Sequence, residues 1–325
     1  MIDILRSEIC KTLEAHFAEP TQRETMLRAL SREGFALHPE GRCTTGLFTL
    51  EVYRAIRSML DATAFRAAVA TELYMEAAFM FDHVADQELD QSGGLSAAEE
   101  LILAVSLMAC GAAAACEAAQ QASSDGQRLH ALLQLHRGCI SSCSGQLLDA
   151  QVQKLGLATT EEALRITRLK SGSTGRSAAA LAANIATDDP ETIRLFEEFG
   201  FNLFTYLQLI DDLRDACPES SAVTDLGQLK KTLPLVYFYN SLAERTRETD
   251  SGIIPSHEGK PVSQEVRQGF KASGAEVFSA IIAETFLNRA KSNLAALKNR
   301  TRTVEGLEQF ISSLEFSPNE IFAVP

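Results

Sequence analysis

Residues 207–234 read LQLIDDLRDACPESSAVTDLGQLKKTLP, with three acids at the end of an apolar helical pattern. Asp211 and Asp215 are four residues apart, so a helix places them on one face, with Asp212 one step round. An apolar helix rarely ends in three acids, because packed carboxylates repel one another and lose hydration. Divalent cations bound to a polyphosphate would resolve this conflict, since Mg²⁺ commonly binds one or two carboxylates together with phosphate oxygens.

Two lysines follow the acids. Lys230 and Lys231 come just before the sequence Thr-Leu-Pro, and Lys230 is fifteen residues after Asp215. Ammonium groups near such metals would bind the oxygens of an anionic ligand. The stretch therefore indicates one site, with acids for metals and lysines for phosphate. A solvated helix end with surface lysines would show the same sequence pattern, and the DDLRD sequence alone leaves both interpretations open.

The composition limits the class of protein. The 325 residues are 46% hydrophobic, which is enough for a sizeable core, and they include 43 acidic and 30 basic side chains. A net charge of −13 without a basic run argues against nucleic acid or an anionic membrane as the main partner. Seven scattered cysteines without a paired CxxC pattern indicate reduced thiols, as is typical of a cytoplasmic protein.

The opening residues and the apolar runs give no sign of secretion or membrane insertion. The opening residues, MIDILRSEI, carry charges early and form an amphipathic pattern rather than a signal peptide. The longest apolar run, residues 101–116, is short for a membrane span and rich in alanine and glycine. We therefore expect a buried helix there and no integral membrane segment.

Helical patterns run through nearly the whole chain. Apolar residues recur at three and four positions, alanine is abundant, and there are only nine prolines. No fixed repeat and no long linker divides the sequence. We therefore predict an all-α fold in which residues 1–325 form a single domain of roughly ten or more helices. Three capping patterns mark helix starts: Ser96 with Glu99, Thr159 with Glu162, and Asp189 with Pro190.

A second acidic pair ends another apolar helix. In residues 72–90, ELYMEAAFMFDHVADQELD, Asp82 and Asp86 are again four positions apart. Acids at this spacing are common on solvated faces, so the pair alone is a weak signal. Two such clusters in an all-helical chain would face each other across a cavity and hold a metal-bound diphosphate between them.

With these motifs the sequence resembles the trans-isoprenyl diphosphate synthases and the wider class I terpenoid synthase fold. Residues 208–215 match the QxxDDxxD motif of that family, and residues 225–234 match its DLxxGKxTLP segment except for Leu229 in place of glycine. Residues 145–149, GQLLD, resemble the GQxxD helix, and Lys170 falls at the lysine before a kinked helix. The resemblance implies helices around a central cavity.

The sequence departs from this pattern mainly where the family binds isopentenyl diphosphate. His83 stands where the first motif usually has its second aspartate, and residues 91–92 (QS) replace an arginine pair. Residues 41–46, GRCTTG, replace the GKRxRP phosphate loop and leave Arg42 as its cation. What remains is chiefly the machinery for metal binding and ionisation.

The resemblance implies that Mg²⁺, three ions by the family pattern, assists departure of diphosphate from an allylic substrate. Gln208 would face the carbocation or orient a metal ligand, although a buried amide that ties two helices together is an equal alternative. The implied metal ligands are Asp82, Asp86, Asp211, Asp212 and Asp215. The implied catalytic residues are Lys170, Gln208 and Lys230. The implied substrate-binding residues are Arg42, Lys170, Lys230, Ala77, Ala78, Phe81 and Gln146.

A carbocation also needs a dry apolar chamber, because water would quench it. Ala77 and Ala78 are small residues just before the first acids, and Phe81 beside them is bulky. By analogy with the family, small residues just before the first acids leave room for a long prenyl chain. We therefore expect a C15 or C20 substrate.

The leading hypothesis is a Mg²⁺-dependent enzyme that ionises an allylic prenyl diphosphate. Because the isopentenyl diphosphate site is altered, we expect cyclisation to a terpene or prenyl transfer to a non-standard acceptor. One alternative is chain elongation with isopentenyl diphosphate, and another is a non-catalytic regulatory subunit of a prenyl synthase. By family analogy we expect a cytoplasmic homodimer.

Overall fold

The computed structural model describes residues 1–85, 94–155, 157–216, 225–249 and 264–314, and every regular element within these ranges is helical. The all-α prediction is confirmed. The α-helices are α1 (Ile2–His16), α2 (Pro20–Leu30), α3 (Thr44–Arg57), α4 (Ala62–Ala85), α5 (Ala97–Ala119), α6 (Asp125–Val152), α7 (Thr160–Thr167), α8 (Ser173–Ala186), α9 (Pro190–Ala216), α10 (Leu233–Thr249), α11 (Gln264–Ala272), α12 (Ala275–Leu297) and α13 (Glu305–Leu314). A π-helical segment, Arg168–Gly172, joins α7 to α8.

Hydrogen bonds confirm the predicted helix starts. The Ser96 hydroxyl accepts from the Glu99 amide at 3.3 Å, and the Glu99 carboxylate accepts from the Ser96 amide at 2.7 Å. Thr159 and Glu162 form the same reciprocal pair before α7. Asp189 accepts from the amide at the third position of α9. These caps satisfy N–H groups that have no partner inside the helix, so local sequence sets where the helices begin.

Contacts divide the chain into two compact units, and the helices α6, α9 and α12 contribute residues to both. The prediction of a single domain over residues 1–325 stays a prediction. The first unit comprises Met1–Cys139, Thr174–Gly200 and Asn293–Ser313, and the second comprises Ile140–Ser173, Phe201–Ser292 and Leu314–Pro325.

In the first unit, α4 is the central helix and packs against α1, α3 and α5. Much of its buried surface consists of alanines such as Ala67 and Ala70, which allow neighbouring backbones to come close. Gly111 of α5 lies against the Tyr74 ring of α4, and a Cβ at Gly111 would be 2.9 Å from that ring. Small residues at this crossing therefore let α4 and α5 bury a long apolar contact.

The helix α5 contains the long apolar run of the sequence. Among the described residues it is the one helix long and apolar enough to cross a membrane, with a mean hydropathy of 1.9 in its most apolar window. Packing against the rest of the protein buries 44% of that window, and helices in protein cores reach the same hydropathy. Its inner face is buried as predicted, while its outer face exposes Leu101, Ile102 and Val105.

Two glutamates of α4 lie buried beside the segment that leads into α3. Glu72 accepts a hydrogen bond from the Gly46 amide at 2.6 Å, and Glu76 accepts one from the Ala36 amide at 3.0 Å. Their side chains are 2% and 1% exposed, respectively. Burial raises the pKa of Glu72 to about 7, and burial together with the neighbouring Glu72 raises the pKa of Glu76 well above its ordinary range. The fold therefore favours the protonated pair.

Glu76→Gln should remove much of the pH dependence of stability between acidic and alkaline pH. Both glutamates have pKa values above the ordinary 4.5. Their contribution to the stability of the folded state is therefore complete below pH 4.5 and is lost as the pH rises through about 7. A glutamine at position 76 cannot ionise and still accepts the Ala36 amide. From about pH 5 to about pH 8.5, we expect wild type to lose on the order of 1–3 kcal/mol more stability than this variant.

Urea unfolding at a series of pH values measures this difference. Glu14→Gln, at an exposed position of α1, is the control and should follow the wild-type curve. Parallel curves for wild type and Glu76→Gln would contradict the assignment of the buried pair.

Candidate active site

The acids at the end of α9 lie in two different environments. Asp211 and Asp215 are exposed, as their shared helical face predicts, while Asp212 is only 8% exposed. Arg214 donates to Asp211 at 3.3 Å, but this is a surface ion pair and contributes little to stability. The motif therefore presents two carboxylates on one accessible face and directs the third into the protein.

Asp212 is held by a short chain of hydrogen bonds. The Gln208 amide nitrogen donates to Asp212 at 2.9 Å, and the Gln208 amide oxygen accepts from the Ser171 hydroxyl at 2.7 Å. Ser171 belongs to the π-helical segment, whereas Gln208 and Asp212 are one turn apart on α9. The Gln208 amide therefore ties two helical elements together, which is the geometry of the second alternative that the sequence left open.

Lys170 lies in the same π-helical segment and pairs with Asp149 at 3.0 Å. Glycines at two positions allow this close arrangement. A Cβ at Gly145 would lie 2.8 Å from the Lys170 amide nitrogen, and one at Gly172 would lie 2.5 Å from the Thr205 hydroxyl. Both Lys170 and Asp149 remain about a quarter exposed, so the ammonium is accessible to an anionic ligand.

Charges of both signs act on Asp212. Burial is the main reason that the pKa of Asp212 is raised to about 7, while the Gln208 hydrogen bond and the Lys170 charge lower it. The carboxylates of Asp225 and Asp211 raise it further. Asp212 is therefore within electrostatic reach of both Lys170 and Asp225. We call these residues, together with Asp149, Gln208, Ser171 and Lys230, the polar network of the second unit.

Lys230 and Asp225 form the other end of this network. Their side chains pair at 3.4 Å, and the Lys230 amide also donates to the Asp225 carbonyl at 3.0 Å. The Asp225 amide donates to the Asp215 carbonyl at 3.1 Å, which fixes this turn onto the end of α9. The second acidic motif and the first lysine of the Lys230-Lys231 pair are thus held together by backbone bonds.

Leu229 adopts a left-handed backbone conformation with φ = +56°. This is the position where the family segment has glycine, and only glycine enters that region without a steric penalty. The Leu229 side chain is partly buried against the apolar cluster formed by Leu226, Leu235 and Phe238. Leucine here combines a backbone penalty with added apolar contact, and the turn before Lys230 is preserved.

The first-motif residues belong to the first unit. Asp82 is half-buried in the last turn of α4, and His83 packs edge-on against Phe35 with ring centroids 5.4 Å apart. Asp86 and residues 91–92 lie outside the described residues. The roles of Asp82 and Asp86 as metal ligands stay predictions.

The predicted substrate-binding residues differ in exposure and in the part of the fold where they lie. Arg42 is exposed just before α3, Ala77 is 1% exposed, and Ala78 and Phe81 are half-buried. Ala78 precedes Asp82 by four residues and therefore shares its helical face, whereas Ala77 points about 140° away. Of the two alanines, Ala78 is better placed to accompany Asp82. Gln146, in the second unit, has a buried amide oxygen without a hydrogen-bond partner among the described residues.

Three residues of this network were not in the predicted site. Asp149 and Asp225 occur within motifs that the sequence showed, so their spacing was a signal that could have been used. Ser171 follows Lys170 directly, but nothing in a single sequence indicates its bond to Gln208.

The acids at the end of α9 fit a magnesium site whose ligands come partly from protein carboxylates and partly from substrate phosphate oxygens. Within the part of the chain that the structure describes, no three His, Cys, Asp or Glu side chains form a complete protein metal cage. Mg²⁺ needs only one or two carboxylates when phosphate oxygens fill its other positions, and Asp211 and Asp215 offer two on one accessible face. The buried, unsatisfied oxygens of Gln146 and Thr232 in the same unit agree with a polar ligand.

Comparison with known proteins decides the family. The family model for polyprenyl synthetase matches residues 28–267, more than half of the 325 residues. The chain belongs to the polyprenyl synthetase family. This confirms the resemblance drawn from the motifs and identifies the family as one of isoprenoid diphosphate prenyltransferases.

The similar proteins support this membership at different levels. Geranylgeranyl diphosphate synthase from Mycobacterium tuberculosis is 30% identical over 125 residues, 37% of this chain. The matched segment spans 36% of that relative, so the chain covers just over a third of its length. The geranylgeranyl pyrophosphate synthetase from Geoglobus acetivorans superimposes with a TM-score of 0.76 and 19% identity, covering 96% of this chain and 94% of that one.

A polyprenyl synthase from Caulobacter crescentus, solved with calcium and isoprenyl diphosphate, gives a TM-score of 0.76 at 18% identity and the same coverage of 96% and 94%. At these identities the structural matches establish the fold. They therefore confirm the isoprenoid-synthase type of helical fold for this family member.

Substitutions at Leu229 should separate the backbone penalty from the apolar contact. Leu229→Ile keeps the volume but adds a β-branch, which fits a left-handed conformation worse than leucine does. We expect a loss of roughly 1–2 kcal/mol in unfolding free energy. Leu229→Gly loses contact but relieves the backbone, so it should stay within about 1 kcal/mol of wild type.

Urea unfolding of both variants measures these values. A Leu229→Ile protein as stable as wild type would contradict the strained conformation of this turn.

Proposed function

We propose that this polyprenyl synthetase family member is a chain-elongating prenyl diphosphate synthase that depends on Mg²⁺. The observation that carries the proposal is the network of the second unit. There, Lys170 and Lys230 lie beside Asp149 and Asp225. This network borders the acids of the QxxDDxxD motif. Such an arrangement suits a diphosphate with bound cations, since it supplies both ammonium and carboxylate groups.

The related proteins favour elongation over the cyclisation or unusual acceptor that the sequence analysis preferred. The curated relative makes geranylgeranyl diphosphate, as its name states, and the Caulobacter structure contains isoprenyl diphosphate. The altered loop around Arg42 favours a different way of holding isopentenyl diphosphate. It does not require loss of that substrate.

The residues of the network have distinct roles in this reaction. Lys170 and Lys230 bind diphosphate oxygens and neutralise charge as the allylic C–O bond breaks and its electron pair leaves with the diphosphate. Asp211 and Asp215 hold magnesium, which when bound acts as a Lewis acid on the leaving group. Asp82 and Asp86 stay proposed as further metal ligands, and three ions are proposed by family resemblance.

The remaining residues prepare these groups for the reaction. Asp149 and Asp225 orient the two ammonium groups, and Gln208 holds Asp212 in place. The alkene of isopentenyl diphosphate then attacks the allylic cation, a carbon–carbon bond forms, and a proton is lost. The half-buried Ala78, on the Asp82 face of α4, supports a long C15 or C20 donor.

The elongation reaction can be tested with labelled isopentenyl diphosphate and C10, C15 and C20 allylic diphosphates in the presence of Mg²⁺. We expect a labelled product one or more isoprene units longer, formed best from the C15 donor. Asp211→Ala should lower the rate on the order of 100-fold, because it removes a carboxylate that holds the metal. Product length is read by mass spectrometry.

The control is Asp125→Ala, which changes a 93%-exposed acid at the start of α6 and should leave the rate unchanged. Release of diphosphate without incorporation of label would contradict elongation and favour cyclisation or another acceptor. Absence of diphosphate release from every donor would favour the regulatory-subunit alternative.

We also propose that the protein forms a homodimer through the outer faces of α5 and α6. Ile102 and Val105 of α5 are 61% and 60% exposed, and Leu129 of α6 is 68% exposed. Large apolar side chains exposed on a helix face in this way are typical of protein interfaces. The long exposed face of α5 therefore fits a second copy of this chain.

Ile102→Glu should weaken the dimer at least about tenfold, because it places a charge in an apolar interface. Sedimentation velocity over a concentration series measures the dissociation constant. Met59→Glu, at a 74%-exposed apolar residue after α3, is the matched control and should dimerise as wild type does. A monomeric wild type at micromolar concentration would contradict the proposed interface.

A further inference from the structure

The α1 residue Arg6 binds a segment that is distant in sequence, the loop of residues 36–41 before α3. Its Nε donates to the Ala36 carbonyl at 2.9 Å. Its Nη2 donates, at distances between 2.6 and 3.1 Å, to three further carbonyls, those of His38, Pro39 and Gly41. The loop therefore arranges its backbone oxygens around one guanidinium.

These carbonyls are the main compensation for the charge of Arg6. The Arg6 side chain is only 19% exposed, and its ion-pair partner Asp3 is 90% exposed and 3.9 Å away, so that pair is weak. A guanidinium has five N–H donors and no acceptor, and a mostly buried one needs acceptors around it. Converging carbonyl oxygens in turn repel one another unless a cation lies between them. Arg6 and the loop conformation therefore depend on each other.

Two further hydrogen bonds attach this part of the chain to α4. Glu76 accepts from the Ala36 amide at 3.0 Å, and Glu72 accepts from the Gly46 amide at 2.6 Å. Both glutamates belong to the helix that carries Asp82 in its last turn. The segment is thus fixed to α4 at Ala36 and Gly46, and Arg6 fixes the loop between these points.

Arg42 follows directly after the last carbonyl that Arg6 binds. Peptide bonds in the described residues are trans, so the carbonyl of one residue and the amide N–H of the next point in opposite directions. Because the Gly41 carbonyl points towards Arg6, the Arg42 amide points away from it. Arg42 is exposed, and neither its amide nor its guanidinium has a hydrogen bond or ion pair to the rest of the described chain. The loop therefore leaves a cation and an adjacent amide available for an anionic ligand.

We propose that Arg6 is a positioning residue, which holds the carbonyls of residues 36–41 inward and so presents Arg42 to the diphosphate of isopentenyl diphosphate. This inference rests on the proposed function, because elongation requires that second diphosphate. Arg6 itself does not contact the ligand. Its guanidinium shapes the loop, and the Arg42 amide and guanidinium bind the substrate.

Steady-state kinetics with Mg²⁺, labelled isopentenyl diphosphate and a C15 allylic diphosphate test this role, with each substrate varied in turn. Arg6→Lys keeps the charge, but one ammonium lacks the planar fork that spans four carbonyls. We expect the KM for isopentenyl diphosphate to rise about tenfold, while kcat and the KM for the allylic substrate stay within about twofold. Arg42→Gln should raise the same KM by at least about tenfold, because it removes a charged hydrogen-bond donor to the ligand.

A double variant and a matched control make the result specific. In the Arg42→Gln background, adding Arg6→Lys should raise the KM for isopentenyl diphosphate less than about threefold, because the side chain that Arg6 positions is already lost. The control is Arg54→Lys in the same unit, where Arg54 donates to Glu51 within α3 at 3.0 Å. Its three kinetic constants should equal those of wild type.

The outcomes separate this inference from the function on which it rests. A wild type that incorporates no label would overturn the proposed elongation and the role of Arg6 together. With an active wild type, an unchanged KM for isopentenyl diphosphate in Arg6→Lys or in Arg42→Gln would overturn the role of Arg6 alone. Unfolding of Arg6→Lys, or an equal loss for both substrates, would make Arg6 a general structural residue and would also overturn it.

Discussion

A buried carboxylate is costly unless a cation or a hydrogen-bond donor lies beside it, and Asp212 meets this requirement in a way that organises the second unit. Gln208 donates to Asp212, and Lys170 lowers its pKa against the effect of burial. Ser171 and Lys170 both come from the π-helical segment, so this irregular turn supplies two of the groups that act on Gln208 and Asp212 of α9. The polar network therefore both supports the fold of the second unit and supplies its charged groups.

The sequence predicted much of this arrangement because helical spacing is a reliable rule. The four-residue spacing of Asp211 and Asp215 predicted a shared face, and both are exposed as a metal pair would require. The capping boxes were predicted for the same reason, since their bonds join residues three positions apart. The all-α fold followed from the sum of such local patterns.

Contacts between distant residues could not be predicted in this way. Lys170 and Asp149 are 21 positions apart, and Ser171 and Gln208 are 37 apart. Their pairing depends on how helices pack, and a single sequence does not specify that packing. The burial of Asp212 and the orientation of the Gln208 amide have the same cause. The predicted preference for cyclisation rested on missing cations, and the family comparisons favour elongation instead.

Two local features pair a wholly or partly buried side chain with a particular backbone conformation. Leu229 takes a left-handed conformation that glycine would enter freely, and apolar packing compensates in part. Glu76 shares a buried environment with Glu72, and both bind backbone amides of the segment before and within α3. In each case a wholly or partly buried side chain accompanies a defined backbone conformation: an apolar contact at Leu229 and amide hydrogen bonds at the glutamates.

The central claim is that the acids of α9 and the two lysines bind one metal-bound diphosphate. A crystal structure of the full chain with Mg²⁺ and a thio analogue of farnesyl diphosphate tests this most directly. The account predicts diphosphate oxygens within about 3 Å of the Lys170 and Lys230 ammonium groups, and magnesium at roughly 2.0–2.1 Å from Asp211 and Asp215 oxygens. A diphosphate bound away from both lysines, with magnesium contacting neither aspartate, would contradict it.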